Sequence, residues 1–249
     1  AARANVIKAK TLRTYMPWLK AGIDRPLTPE RITSILETGR VATGLHMTLP
    51  KDGGLREIVR PRPGYVFLNV DYDTAELRSL GQAQLELCGR SALAEVFKKP
   101  GADPHTEFAA FIIGVSPDEA YRMKKAGDSR LPRQSAKPPN FGFPGGMGVE
   151  KFVTTQWRDR VKDFLLGGKW QAPPTLDEAK RLKALWVKQW PEQKYLFEYV
   201  NKVVLRGGGR GLLQTPISLR YRGGVGFCDG SNNQFQPRTA DGAKRATYL

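Results

Sequence analysis

Apolar positions along this chain change period several times, and the changes divide it into segments. Val6, Leu12, Tyr15, Met16 and Leu19 recur among basic residues at helical spacing, which predicts an amphipathic helix over residues 1–20 ending near Gly22. Thr28-Pro29-Glu30-Arg31 has a capping threonine and a proline at the first helical position, and predicts the start of a second, short helix. Thr38-Gly39-Arg40 reads as a turn, residues 45–54 as irregular, and Leu55–Val59 as a strand. Tyr65–Val70 is an unbroken apolar, β-branched and aromatic run opened by Pro63-Gly64, the pattern of a buried strand, and the first 90 residues are expected around one sheet. After it Leu77, Leu80, Gln84, Leu85, Leu87 and Cys88 take helical spacing, with Asp73 or Thr74 available as cap.

From Ser91 to about Asn201 the pattern is mostly helical. Pro104–Ile113 predicts one helix, Ser116-Pro117-Asp118-Glu119 the capped start of another, and residues 149–166 a third. Thr175-Leu176-Asp177-Glu178 is a capping box for a long helix that Pro191 must kink or end. Beyond the Gly207-Gly208-Gly209 break, Leu212–Tyr221 reads as strand, Gly223–Gly230 as turn, and Gln236–Leu249 as helix.

Composition narrows the partners. Forty Lys and Arg against 24 Asp and Glu give a net charge of +16 over 249 residues, which points to a polyanion, with nucleic acid the leading class. Cys88 and Cys228 lack metal-ligand spacing and fit a reducing compartment, while two histidines, His46 and His105, exclude a His-rich metal site. With no run of eighteen apolar residues and no secretory pattern, no membrane partner is expected. The expected location is the cytoplasm, or the host cytoplasm for a viral protein.

Two stretches carry candidate chemistry. Asp71 ends the Tyr65–Val70 run, so a strand would deliver its carboxylate to a strand-to-helix turn, a rigid mount for a metal ligand; Asp71 and Asp73 serve equally well as turn and cap residues. Arg133, Lys137 and Phe141 recur every four residues, so on a helix they present two cations and a ring along one face. That face suits the phosphates and sugar of a nucleoside triphosphate, and suits equally a solvated basic surface with one core ring. Pro138-Pro139 predicts a break or kink between Lys137 and Phe141.

The order of these stretches resembles the family A DNA polymerases, the bacterial DNA polymerase I type and its phage relatives. Asp71-Tyr72-Asp73-Thr74-Ala75-Glu76-Leu77-Arg78 fits that family's D-Y-S-x-x-E-L-R except at the serine, and Arg133, Lys137, Phe141 and Gly142 fit R-x-x-x-K-x-x-x-F-G. Thr38-Gly39-Arg40 matches T-G-R, Asp103-Pro104-His105-Thr106 matches D-x-H-T, and Asn232 with Gln236-Pro237-Arg238-Thr239-Ala240-Asp241 resembles N-x-x-x-Q-x-T-A-A-D.

The resemblance implies an α+β fold: a polymerase palm sheet with an inserted helical fingers subdomain, the right-hand architecture in incomplete form. Residues 1–37 would be thumb-base helices, 38–90 the first part of the palm, 91–210 the fingers, and 211–249 a palm return strand and helix. It implies template-directed DNA synthesis, in which a primer 3′ hydroxyl attacks a deoxynucleoside triphosphate with two Mg²⁺ ions as cofactors. Asp71 and the Tyr72 carbonyl would ligate metal. Lys137 and Arg133 would neutralise the triphosphate, His105 would donate to a phosphate oxygen, Phe141 would lie against the sugar, and Glu76 would exclude a ribose 2′-OH. Arg40, Asn232 and Gln236 would hydrogen-bond template-primer DNA in the minor groove.

Three departures accompany the match. Asp73 replaces the serine, where capping is expected of it. Gly145 stands where the family commonly has a tyrosine. The H-D-E motif with the second metal-binding aspartate has no counterpart, since neither histidine precedes Asp-Glu. The chain is therefore expected to be a fragment that needs the remainder of a polymerase, without the exonuclease-like domain and most of the thumb, and inactive alone. The alternatives are a catalytically incompetent nucleic-acid-binding module and a single-subunit phage-type RNA polymerase, the latter disfavoured by Glu76 and Phe141.

Overall fold

The computed structural model describes residues 9, 12–21, 32–43, 49, 56–68 and 70–247. Its elements in order are α1 (residues 12–21), β1 (Ile32–Ile35), β2 (Val41–Thr43), α2 (Ala75–Cys88), α3 (Ala92–Phe97), α4 (Pro104–Ile113), α5 (Pro117–Ala126), α6 (Arg133–Gly142), α7 (Val149–Leu165), α8 (Leu176–Gln189), α9 (Gln193–Tyr199), β3 (Gly211–Gln214), β4 (Tyr221–Val225), α10 (Phe227–Asn232) and α11 (Gln236–Ala246). A 3₁₀ turn, Phe143–Gly145, follows α6, and a π turn, Val200–Val204, extends α9. The architecture is mixed, mostly helical with small sheets, and is compatible with α+β. Among the described residues no helix is long and apolar enough to cross a membrane.

The chain divides into two units. One comprises Ala1–Leu36, Val41–Asn69 and Thr154–Pro174; the other comprises Glu37–Arg40, Val70–Val153 and Thr175–Leu249. In the first, α1 buries Tyr15 and leaves Leu12 and Met16 exposed, and the rings of Trp157 and Phe164 each meet Trp170 edge-on at 5.8 Å.

The second unit holds the core, in which Leu80, Phe108, Phe143, Trp186, Leu196 and Val200 are almost fully buried. Sequence signals hold best for α4, α5 and α8, which carry their own capping chemistry. Asp103 accepts from the His105 amide at the start of α4, and Ser116 accepts from Glu119 at the start of α5. Thr175 and Glu178 form the reciprocal capping box of α8, which ends at Gln189 ahead of Pro191. A buried amide chain ties these helices together: Ser91 Oγ donates to Gln84 Oε1, Gln84 Nε2 to Gln193 Oε1, and Gln193 Nε2 to the Pro144 carbonyl.

Several expectations are corrected. The helix start at Thr28–Arg31 lies outside the described residues, and the residues that follow, Ile32–Ile35, are strand. They pair antiparallel with Val41–Thr43 across a turn at Gly39, whose φ of 81° suits glycine. Arg56–Ile58 is a turn and not strand, with the Arg56 guanidinium donating to the Leu49 carbonyl. Residues 44–48 and 50–55 lie outside the described set.

Tyr65–Leu68 and Val70 belong to no strand, the Tyr65 amide instead donating to the Arg62 carbonyl, and they are exposed, with Val66 and Leu68 each 88% accessible. A strand needs a neighbour to take up its backbone groups, and the described strands form separate two-stranded hairpins, β1-β2 and β3-β4, and no common sheet. Leu212–Tyr221 is likewise not one strand. Its centre turns, with the Thr215 amide bonded to the Arg220 carbonyl, so that β3 and β4 form a hairpin that takes in Gly223 and Gly224; Phe227–Asn232 is a helix.

Finally, α6 runs unbroken through Pro138 and Pro139. The two prolines remove the bonds to the Gln134 and Ser135 carbonyls, at a cost of about 3 kcal/mol for an interior proline. Tertiary anchoring outweighs this cost, because Ala136, Pro139 and Asn140 are buried and Asn140 is bonded on both sides.

Candidate functional site

The start of α4 and the length of α6 meet at one carboxylate. Asp103 Oδ2 accepts from Thr106 Oγ1 at 2.9 Å, Lys124 Nζ at 3.0 Å and Arg133 Nε at 2.6 Å, while Oδ1 accepts from the His105 amide at 3.0 Å. Burial alone would raise its pKa. The bonds from Lys124, Arg133 and Thr106 outweigh that and hold it well below the usual carboxylate range. Arg133 is thereby fixed at the first position of α6.

One turn on, Lys137 is half-buried and has no ion-pair partner among the described residues. A further turn on, Phe141 is exposed, its ring 5.1 Å from that of His105 at an interplanar angle of 54°. The structure therefore brings together His105, Arg133, Lys137 and Phe141, residues drawn from two separate stretches of sequence.

His105 is buried and bonded through Nδ1 to Asn140 Nδ2 at 3.1 Å. Burial lowers its pKa to about 4; Asp103 pulls upward, Arg133 and Lys137 push downward, and Asp73 lies near enough to pull upward as well. A histidine with a depressed folded pKa binds fewer protons folded than unfolded. Its stabilisation is complete above the ordinary value of 6.5 and is lost as pH falls towards about 4. Urea unfolding across that window is expected to show falling stability with acid in the native chain and a flatter profile in His105→Gln; equal slopes would refute the assignment.

Asn140 was not singled out in the sequence, although the signal existed. Ala136, Pro139, Asn140 and Phe143 share one helical face and all are buried, so a polar residue sits within an otherwise apolar stripe. It takes indole N–H donations from Trp186 at 2.9 Å and Trp190 at 3.2 Å, both on the α8 side.

Asp71 and Tyr72 are exposed and precede α2. The expected cap is not made: Thr74 occupies the N-cap position without a side-chain bond, and no Asp73 side-chain bond takes its place, whereas the Asp73 carbonyl accepts from Arg78 Nε. Thr74 is held at φ 50°, a left-handed conformation costing a β-branched residue roughly 1–3 kcal/mol, and its buried hydroxyl has no partner among the described residues. In the first turn of α2, Glu76 pairs with Arg40, placing the T-G-R arginine on the carboxylate of the Asp71 motif.

Behind them α11 is pinned to α2. Arg238 makes a two-pronged bond to Glu86 at 2.8 and 2.5 Å, which lowers the Glu86 pKa, and Thr239 Oγ1 lies 2.8 Å from Ser79 Oγ. Gln236 is half-buried at the first position of α11. Asn232, on α10, donates to the Cys228 carbonyl at 2.9 Å and fills the space over Gly145, where an added Cβ would stand 2.4 Å from its Oδ1. A side chain at position 145 would require Asn232 to move aside.

Among the described residues no cluster of three or more His, Cys, Asp or Glu side chains converges to hold one ion. Asp71, with Asp73 two residues on and the Tyr72 carbonyl between, offers exposed oxygens of the kind through which Mg²⁺ is held beside phosphate oxygens and waters, and would hold such an ion only with those further ligands.

No family model matches this chain. Over 120 residues it is 31% identical to "DNA polymerase I, thermostable" of Thermus thermophilus, an alignment covering 46% of this chain and 13% of that protein. The chain thus spans a small part of the length of the curated relative it matches, and what that match supports is similarity to part of a DNA polymerase I.

Proposed function

We propose that this chain is part of a DNA-directed DNA polymerase of the family A type, and that its own residues bind the incoming deoxynucleoside triphosphate and the template-primer DNA. The carrying observation is the gathering of His105, Arg133, Lys137 and Phe141 about the α4–α6 junction, with Asp103 fixing Arg133. Arg133 and Lys137 neutralise triphosphate oxygens, His105 donates to one of them, and Phe141 lies against the sugar. Glu76, held by Arg40, excludes a 2′-hydroxyl. Asn232 and Gln236, with Arg40, face the minor groove of the duplex, and the cleft lined by Arg210, Arg220 and Arg222, where Glu37 and Asp229 pair with Arg222, takes up backbone phosphate through Arg210 and Arg220. In this reading residues 1–37 belong to the thumb base, 38–90 and 211–249 to the palm, and 91–210 to the fingers, with the remainder of a polymerase as partner.

A second reading, a nucleic-acid-binding module without catalysis, is favoured by the incomplete carboxylate set around Asp71. Equilibrium titration separates the two. The polymerase reading expects weak, salt-sensitive binding of a template-primer, binding of dATP in preference to ATP, and loss of that preference in Glu76→Ala. Duplex binding with no dATP binding would establish the module instead, and binding of neither would overturn both. No primer extension is expected from these 249 residues alone.

A further inference from the structure

Asn140 sits where its amide has no freedom to turn over. Its Oδ1 faces the Nε1 atoms of Trp186 and Trp190 at 2.9 and 3.2 Å, and an indole nitrogen is a donor only. Its Nδ2 faces the Pro104 carbonyl at 3.2 Å, an acceptor only. A flipped amide would set N–H groups against both indole N–H groups and an oxygen against a carbonyl oxygen, losing all three bonds in a site where burial makes each loss costly. The remaining neighbour of Nδ2 is His105 Nδ1, at 3.1 Å. Facing an NH₂ group whose orientation three other atoms dictate, that ring nitrogen has to offer its lone pair.

We infer that Asn140 is a positioning residue, which, with its orientation set by Trp186 and Trp190, holds His105 as the Nε2-protonated tautomer and so makes it a fixed, uncharged hydrogen-bond donor for a triphosphate oxygen. The last step rests on the nucleotide-binding role proposed above; the tautomer does not. The groups acting on the ring are Asp103 and Asp73, which favour its cation, and Arg133 and Lys137, which disfavour it; burial decides for the neutral form. The division of labour follows. Lys137 and Arg133 bring charge, and His105 brings direction, since a neutral N–H adds no further cation to a cluster that already repels one.

The chain has two histidines, so ¹⁵N-histidine labelling and long-range ¹H–¹⁵N correlation read the tautomer directly, with His46→Gln assigning the signals. At neutral pH the native chain is expected to show His105 with Nε2 protonated and Nδ1 bare. Protonation at Nδ1 in the native chain would overturn the inference without any variant. Asn140→Asp presents a carboxylate to Nδ1 and is expected to protonate that nitrogen, whereas Trp186→Phe, which leaves the Trp190 donor, is expected to keep it bare. An Nδ1 still bare in Asn140→Asp would also overturn it. Both measurements are made without nucleotide, so their failure is distinct from failure of the nucleotide role. Titrating dATP into the native chain tests that role separately, the expected result being a shift of the His105 Nε2–H signal at saturation.

Discussion

Lys137→Ala is expected to weaken dATP binding by about tenfold or more, the loss of one charge-assisted bond worth roughly 1.5–3 kcal/mol, while leaving unfolding in urea nearly unchanged. The asymmetry comes from how the α6 cations are held. Arg133 is tied to Asp103 and also neutralises a buried carboxylate, so its removal would disturb the fold and the ligand site together. Lys137 has no such partner among the described residues. Half-buried and uncommitted, it has only its methylene packing to lose in the free chain, and its charge remains available for a ligand. Titration calorimetry of dATP into the native chain and Lys137→Ala reads the difference, and Lys137→Arg, which keeps the charge, should restore most of it. Unaltered affinity in Lys137→Ala would remove α6 from the nucleotide site.

The largest effect on stability is expected at Asn140. Alanine there leaves the indole N–H groups of Trp186 and Trp190 and the Pro104 carbonyl without their partner, all beside the buried His105. Each buried polar group left unsatisfied costs about 1–3 kcal/mol, and the lost side-chain volume adds a small cavity, so a total on the order of 4 kcal/mol is expected. Urea denaturation followed by tryptophan fluorescence measures it, and the two indoles report their own change of environment. A loss under about 1 kcal/mol would show that the amide is not the link between α4, α6 and α8.

What the sequence made legible follows from where each element draws its stability. The helices α4, α5 and α8 announce themselves because Asp103, Ser116 and Thr175 satisfy first-turn amides locally, within a few residues of chain. Tyr65–Val70 misled for the opposite reason. Its composition is that of a buried strand, but strand formation depends on a partner elsewhere in the chain, and periodicity carries no information about whether one arrives.

Of the candidate site, the spacing of Arg133, Lys137 and Phe141 predicted a shared helix face, which α6 has, and His105 of the D-x-H-T stretch packs beside the ring of Phe141. The ties that hold these residues could not be read from spacing. The Asn140 bonds span 35 to 50 residues of chain, Arg238 reaches Glu86 across 152, and Arg40 meets Glu76 by closing a long loop. The metal role of Asp71 and the Tyr72 carbonyl was implied by resemblance alone, and so was the second aspartate, for which the sequence has no counterpart.

The prolines of α6 give its spacing a different origin. In an ordinary helix the distance from a side chain to one two turns further on is maintained by an unbroken series of backbone bonds, and it survives the loss of any one side chain. Here Pro138 and Pro139 delete two consecutive rungs, those to the Gln134 and Ser135 carbonyls, in the stretch that joins Arg133 to Asn140. Anchors outside the helix hold the stretch that lacks those rungs, with Asp103 clamping one end through Arg133 and two indoles clamping the other through Asn140. The ruler that spaces charge from ring is thus calibrated by α4 and α8. A substitution in either of those helices, far from any ligand, can change the reach of the site without altering a residue that lines it.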